Sequence, residues 1–115
     1  MTGQFQAMLD GLTRLRGVRG ALVVSLEDGL VVAESVMGGL KGGALAAIGA
    51  TLAGRAVDLA GRGGFGRARF LHLQGDDGAL LVAPGRDLAL VALAGRDVPI
   101  GMLRLEMLRT AERLG

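Results

Sequence analysis

Few side chains in this sequence belong to the types that perform catalysis or hold metal ions. The chain contains one histidine, His72, and no cysteine, which excludes a zinc site made from histidine and cysteine ligands. A Ser-His-Asp triad would have to use Ser25 or Ser35, and both serines fall on or at the end of predicted strands rather than on a nucleophile turn. We therefore expect no catalytic residues, no metal site and no cofactor, in a protein that is not an enzyme.

The glycine-rich stretch at residues 61–66 matches the pattern G-x-G-x-x-G. A dinucleotide site needs a strand before this motif and a helix after it, so that the pyrophosphate meets a helix N-terminus. Here a helix comes first and a strand follows, so we interpret the motif as a helix stop and a loop. Its arginines could also attract RNA, but aromatic residues make up only 3% of the chain and leave few platforms for base stacking.

Charged residues in and after the predicted second helix are stronger candidates for function. Residues 55–69 hold four arginines against one aspartate, a net charge of +3, whereas residues 70–99 carry −2. Arg55 and Arg62 lie seven positions apart, two helical turns on nearly the same face. They form either a solvated face whose charges suit the negative end of the helix, or a basic rim for an acidic protein partner. The candidate partner-binding residues are Lys41, Arg55, Asp58 and Arg62.

The length and composition indicate one globular domain over residues 1–115. Hydrophobic residues make up 50% of the chain, which excludes disorder. The longest stretch without charge, residues 42–54, is shorter than the ~20 apolar residues that span a bilayer, so we expect no membrane span. Charges at Asp10 and Arg14 interrupt the region where a signal peptide would be apolar. Together with the missing cysteines, this pattern favours the cytoplasm.

Periodicity predicts the element order α-β-β-α-β-β-β-α. Asp28-Gly29 predicts a tight hairpin between the first two strands, and short turns also join strands three, four and five, which makes these neighbours antiparallel. Strands one and five are apolar on both faces and should be central, with helix two on one face and helices one and three on the other. Asp97 is expected to cap the last helix. The predicted strands are 20–26, 30–36, 67–74, 79–83 and 88–94, and the second helix is 43–60.

The second helix has a bulky face and a face of small residues. Leu45, Ile48, Leu52 and Leu59 make up the first, while Gly43, Ala46, Ala47, Ala50 and Gly54 make up the second. Each glycine inside a helix costs about 1 kcal/mol relative to alanine, and both Gly49 and Gly54 occur here. We expect close approach of another backbone, in a helix–sheet or helix–helix contact, to offset that cost.

The order and spacing of these segments resemble the roadblock family, which is named after a dynein light chain. The resemblance covers nearly the whole chain and rests on residues 18–24, the hairpin at 28–33, the small-residue helix, the turn at 81–85, and residues 88–94 and 97–104. It implies a profilin-like α/β (α+β) sandwich of the bacterial or archaeal type. Family members form homodimers or heterodimers and act as scaffolds or regulators of small Ras-like GTPases, or as light chains of motor complexes.

The resemblance also implies a dimer in which the third strands pair into one continuous sheet and the second helices lie together on one face. The residues agree at one point, because 68–73 is an apolar strand without proline at a sheet edge, which invites pairing with another chain. The candidate dimer-interface residues are Ala68, Arg69, Phe70, Leu71, His72, Leu73, Ala47, Ala50 and Gly54.

The function expected from this resemblance is that of a non-catalytic homodimer which binds a small Ras-like GTPase and modulates its nucleotide state. An arginine supplied in trans by Arg55 or Arg62 is a variant of that mechanism. The alternative is a purely structural dimerisation module that no nucleotide state influences, and a paralogue could replace one protomer in either case. No nucleic-acid partner is expected.

Overall fold

The computed structural model describes residues 2–114. Its helices are α1 (Thr2–Thr13), α2 (Gly42–Arg62) and α3 (Ile100–Glu112). Its strands are β1 (Val18–Ser25), β2 (Val31–Val36), β3 (Leu71–Gly75), β4 (Gly78–Pro84) and β5 (Leu88–Ala94). This is the predicted order of three helices and five strands.

The five strands form one antiparallel sheet in the order β2-β1-β5-β4-β3. β1 and β5 pair with each other from Val18↔Ala94 to Ser25↔Leu88, and nearly all of their side chains are buried. Strands that are apolar on both faces need cover on both sides. Their predicted central position is therefore confirmed, and β2 and β3 are the two edges.

The hairpin between β1 and β2 forms at Asp28-Gly29, as predicted. Gly29 has a φ of +72°, a backbone conformation that glycine adopts without a steric penalty. Asp28 Oδ1 accepts a hydrogen bond from the backbone N–H of Leu30 at 3.1 Å, and the backbone N–H of Gly29 donates to the Ser25 carbonyl at 2.8 Å. The turn thus uses the aspartate side chain and the glycine backbone together.

Helices cover both faces of the sheet in the predicted layers. One core cluster lies between the sheet and helices α1 and α3, and includes Leu9, Leu90 and Leu103. The other lies under α2 and includes Leu22, Val82 and Val91. All six of these side chains are fully buried, so the sheet is the middle layer of a three-layer domain.

Helix α2 contacts the sheet through its small residues, and Gly49 lies directly against Val91 of β5. A Cβ placed on Gly49 would lie 2.6 Å from Val91 Cγ2, whereas a Cβ placed on Gly54 would meet no atom within 4 Å. The close contact at Gly49 is therefore a helix–sheet contact with the side chain of Val91, and not with another backbone as expected. At Gly54 no part of the same chain explains the glycine.

Strand β3 is shorter than predicted, because it begins at Leu71 rather than Arg67. The ladder with β4 starts at Leu71↔Val82, and two residues beyond Val82 the chain reaches Pro84. Proline has no N–H to donate to a neighbouring strand, and Gly85 then turns the chain into β5. Ala68, Arg69 and Phe70 therefore lie before the strand.

The prediction that Asp97 caps the last helix is wrong. The N-cap residue of α3 is Pro99, in an extended conformation and without a side-chain capping bond, and its carbonyl accepts the first helical hydrogen bond from Leu103 at 3.0 Å. The ring of a proline restricts the residue before it to extended conformations. Val98 therefore cannot be helical, and the helix starts two residues later than Asp97 would require.

Within residues 2–114, α2 is the one helix long and apolar enough to cross a membrane by length and composition. Only 22% of the most apolar 18-residue stretch of α2 is buried. Since its small-residue face packs against the sheet, α2 is a layer of a compact globular domain, and its composition alone is weak evidence for a membrane span.

Candidate functional site: the β3 edge and the outer face of helix α2

Strand β3 leaves one side of its backbone open at the edge of the sheet. His72, Leu73 and Gln74 are exposed, and Leu73 retains 54% of its accessible surface. On one face, His72 Nε2 and Gln74 Oε1 lie 3.0 Å apart in a hydrogen bond. On the other, Leu71 packs against the core under α2, and Leu73 follows on the same face because side chains alternate along a strand.

Three of the predicted interface residues, Ala68, Arg69 and Phe70, precede this strand and do not lie on the sheet edge. Phe70 packs against the core on the α1 and α3 side, and Arg104 Cζ lies 5.6 Å from the centre of its ring, within the range of a cation–π contact. Ala68 and Arg69 each line a surface cavity beside the β4–β5 turn. Of the six consecutive residues, Leu71, His72 and Leu73 are the ones on the edge strand.

The outer face of α2 carries large apolar side chains. We call Leu45, Ile48, Leu52 and Leu59 the outer stripe. Their spacing follows that of a coiled-coil seam, with Arg55 at the one interrupted position. Leu59 is 65% exposed and Ile48 is 50% exposed, and a shallow apolar cavity of about 270 Å³ lies beside Ile48 and Leu52. This face has the properties of a surface that packs against another helix or a protein partner.

The small residues predicted for the interface lie on the flank of α2 opposite the outer stripe, since 100° separates successive residues around a helix. Ala47 and Gly54 are exposed and Ala50 is half-buried. Ala50 packs against the core under α2. The helix therefore has two different flanks, one bulky and one narrow.

The predicted partner-binding residues divide into two places. Lys41 is at the N-cap of α2 and Arg62 is its last residue, so about 30 Å separates them at ~1.5 Å per residue. Arg55, Asp58 and Arg62 lie together near the C-terminal end. Asp58 accepts from Arg62, with Arg62 Nε 3.1 Å from Asp58 Oδ2, and both side chains are mostly exposed.

The glycine-rich motif forms the loop that follows α2. Gly63 is the C-cap residue of the helix, and Gly64 and Gly66 have φ values of +75° and +81°, which other residues adopt only with strain. Phe65, between these two glycines, is 81% exposed. Within residues 2–114, the side chains of histidine, aspartate and glutamate form no group of three that could hold a metal ion.

The interpretation of the sequence missed the outer stripe as a candidate surface, because the large residues of an amphipathic helix normally face the core. A signal was available in the glycines and alanines at 42, 46, 49, 53 and 60, which share one face. A face that small permits the helix to lie close to the sheet. The larger residues then lie along a flank, where Leu45 and Leu52 pack partly against the core and Ile48 and Leu59 stay exposed.

Comparison with known proteins gives the same fold along the whole chain. The uncharacterized protein MJ1340 of Methanocaldococcus jannaschii is 29% identical over 103 residues, which is 90% of each chain. The Roadblock/LC7 domain from Streptomyces avermitilis superimposes with a TM-score of 0.85 at 25% identity and covers 95% of this chain and 92% of its own. MglB in a tetrameric arrangement has a TM-score of 0.85 at 26% identity, over 98% of this chain and 86% of its own.

The family is defined by a sequence model as well as by structure. The model of the Roadblock/LC7 domain matches residues 4–94, which include α1 from Gln4 onward, the whole sheet and α2. The chain belongs to the Roadblock/LC7 domain family, and its MglB neighbours fit the bacterial type of that family.

Proposed function

We propose that this protein is a homodimeric, non-catalytic regulator that binds a small Ras-like GTPase on the outer face of paired α2 helices. The observation that supports this most is the combination of an open β3 edge with large apolar side chains that stay exposed on α2, Ile48 and Leu59. Roadblock proteins act as scaffolds or regulators of such GTPases, and the likeness to MglB favours the bacterial form of that role.

The dimer is proposed to form by antiparallel pairing of β3 with its copy across a two-fold axis. Such pairing satisfies the open N–H and C=O groups of both strands and closes the assembly, because the same edge is used on both sides. It also brings Leu73 of each protomer near the symmetry axis. The two sheets then become one, and the α2 helices lie over the same face of it.

The outer stripe is proposed to give the affinity for the GTPase, and the charged residues at the C-terminal end of α2 to give the selectivity. Buried aliphatic side chains contribute about 1.5–3 kcal/mol each when they leave water. Arg55, Asp58 and Arg62 would form the polar rim and steer an acidic surface toward the site. Lys41 would reach the partner only in a complex that covers the length of the helix.

Regulation requires that the dimer bind the GDP and GTP forms unequally. A protein that binds both forms with equal affinity shifts nothing, however tightly it binds. In the proposed mechanism the dimer favours one switch conformation, and the GTPase supplies its own hydrolytic residues.

The first experiment measures the oligomeric state of the wild type and of Leu73→Glu by light scattering after size exclusion. We expect the wild type at twice the chain mass of 11.7 kDa. The variant places two like charges near the two-fold axis and should weaken the dimer by about 100-fold, which corresponds to roughly 2.7 kcal/mol. The matched control is Val32→Glu on the opposite edge, which should leave the dimer intact. A wild-type monomer at micromolar concentration would refute the proposal.

The second experiment titrates the dimer with Ras-like GTPases from the same genome, each loaded with GDP or with a non-hydrolysable GTP analogue. A difference in affinity of tenfold or more between the two forms is expected for a regulator, about 1.4 kcal/mol of coupling. Equal affinity would leave the structural dimerisation module as the function. The expected cytoplasmic location is tested separately, by fractionation of cells that produce the protein.

A further inference from the structure

A cavity of about 520 Å³ lies beside Gly54, on the narrow flank of α2. Its walls come from α2, from the β4–β5 turn and from the loop before β3. The lining residues include Leu26, Ala53, Val57 and Ala68, which are aliphatic, together with Arg67 and Arg86. We call this the Gly54 cavity. Its volume falls within the ~300–1,000 Å³ of typical ligand sites.

Packing within the protomer does not require a glycine at position 54, but the glycine affects the shape of the cavity. A glycine in a helix interior costs about 1 kcal/mol relative to alanine, and a Cβ at this position would meet no atom of the protomer. The missing side chain instead keeps the cavity open. Gly61 provides a comparison on the same helix, since a Cβ there would also meet nothing, yet Gly61 does not line the cavity.

Two arginines at the cavity have no acidic partner in the part of the chain that the structure describes. The ion pairs there join Arg62 to Asp58, Arg96 to Asp77 and Arg109 to Glu106. Neither Arg67 nor Arg86 is among them, although Asp87 and Glu27 line a neighbouring cavity with Arg86. Both arginines are exposed and available to an incoming carboxylate.

The basic surface extends past the Gly54 cavity toward α3. A second cavity of about 350 Å³ shares Arg67 and Gly85 with the first and adds Arg69, Leu108 and Ala111, with Glu112 as its one acid. The aliphatic lining and the arginines beside it therefore continue across the end of the sheet. This combination fits a chain that carries both aliphatic and acidic side chains.

We propose that the Gly54 cavity binds an acidic peptide segment of a partner protein, with an aliphatic side chain inserted between α2 and the β4–β5 turn and flanking carboxylates paired with Arg67 and Arg86. Guanidinium groups bind carboxylates through two parallel hydrogen bonds, which fixes direction as well as charge. The cavity lies on the flank opposite the outer stripe. It is thus a second interaction site, separate from the one proposed for the GTPase.

An aliphatic lining favours a peptide over single-stranded nucleic acid. Nucleic-acid grooves stack bases on aromatic side chains, whereas the residues that line this cavity include none. Phe65 is exposed in the preceding loop but is not part of the lining.

The test uses a fluorescein-labelled peptide, Asp-Glu-Leu-Leu-Asp-Glu with both ends blocked, and measures anisotropy on the full-length protein. We expect saturable binding that weakens as salt screens the charges. Arg67→Gln and Arg86→Gln should each reduce the affinity by about tenfold. The neutral peptide Asn-Gln-Leu-Leu-Asn-Gln should bind at least about tenfold more weakly for the same reason.

The decisive variant is Gly54→Leu, which places a side chain in the cavity at a position where a Cβ meets no atom of the protomer. It should keep or raise the melting temperature and abolish peptide binding, whereas Gly61→Leu, its matched control, should leave binding unchanged. Amide chemical shifts should change at Gly54, Val57 and Gly85 when the peptide is added to the wild type.

Four outcomes would overturn the proposal. They are absence of binding at millimolar peptide, equal affinity of Gly54→Leu and wild type, a stronger response to a single-stranded RNA oligomer than to the acidic peptide, and a loss of the dimer in Gly54→Leu. The last outcome would mean that a second copy of the chain occupies the cavity. Failure of GTPase binding leaves all four readouts intact, so the two proposals are tested separately.

Discussion

Helix α2 reverses the usual distribution of side-chain size on a surface helix. The face that packs against the sheet has small residues, and the outer stripe has large ones. The inner face, at Gly42, Ala46, Gly49, Ala53 and Ala60, is made entirely of small residues and is buried. The outer stripe is made of leucine and isoleucine and stays half-buried or exposed. In an ordinary amphipathic helix the large residues stabilise the domain core. Here close contact with the sheet stabilises the protomer. Leu45 and Leu52 add partial packing against the core under α2, and Ile48 and Leu59 remain exposed and available to another molecule.

The two faces should respond differently to the same mutation. On the inner face, Gly49→Leu forces a side chain into Val91 and should lower the free energy of unfolding by about 3 kcal/mol, the upper part of the range for overpacking. Urea denaturation at a fixed protomer concentration measures this, since dimerisation also contributes to stability. The control is Gly54→Leu, the same change where space is open, which should not destabilise. Equal destabilisation in both variants would mean that the faces do not differ.

On the outer face, Leu59→Ser should weaken partner binding far more than it weakens the fold. Leu59 is 65% exposed, so its replacement removes little buried surface from the protomer. Truncation of a well-packed side chain in an interface weakens binding by about 2 kcal/mol or more, roughly 30-fold in affinity. Isothermal titration with a GTPase that binds in the titration proposed above gives the affinity. Met102→Ser, at a comparably exposed position on α3, should leave it unchanged. If Met102→Ser is equally harmful, the outer stripe is not the binding surface.

The narrow flank of α2, which carries Gly54, offers a smaller and stabilising change. Gly54→Ala should raise the free energy of unfolding by about 0.5–1 kcal/mol, because alanine has the higher helix propensity and its methyl group meets no other atom. Thermal unfolding by circular dichroism is sufficient to detect it. Gly61→Ala should raise the free energy of unfolding by a similar or slightly smaller amount, because Gly61 lies near the end of the helix. Destabilisation by Gly54→Ala would show that another backbone approaches this position in the assembly.

The smallest effect is expected from the exposed ion pair on the outer face. Arg62→Ala removes the contact with Asp58, and exposed pairs at i, i+4 stabilise helices by only about 0.3–0.5 kcal/mol. A double-mutant cycle with Asp58→Ala isolates this coupling. A coupling above 1 kcal/mol would assign the pair to stability of the fold rather than to the surface that meets a partner.

Much of the fold was predictable from local patterns. Asp28-Gly29 specified a hairpin because only a few residues tolerate a positive φ, and the unbroken apolar runs of β1 and β5 specified central strands because both faces needed cover. The start of β3 and the cap of α3 were predicted wrongly. In both cases a proline decided the boundary, Pro84 through its missing N–H in the paired strand and Pro99 through its effect on Val98.

The candidate site was predictable only in part. The β3 edge followed from an apolar strand with a single sequence neighbour, and Leu71, His72 and Leu73 lie on it. Phe70 was also assigned there, but it packs into the core beneath Arg104. Whether a side chain beside a strand turns inward or outward depends on which elements lie above it, and the sequence of the strand does not contain that information.

The sequence by itself determined the order of elements, the positions of the tight turns and the absence of cysteine chemistry, because these depend on residue type and near neighbours. Only the tertiary structure decided which face of α2 meets the sheet, and that an unoccupied space remains beside Gly54. Both depend on the distance between two packed layers. That distance is set by the contact of Gly49 with Val91, two residues more than forty positions apart in the chain.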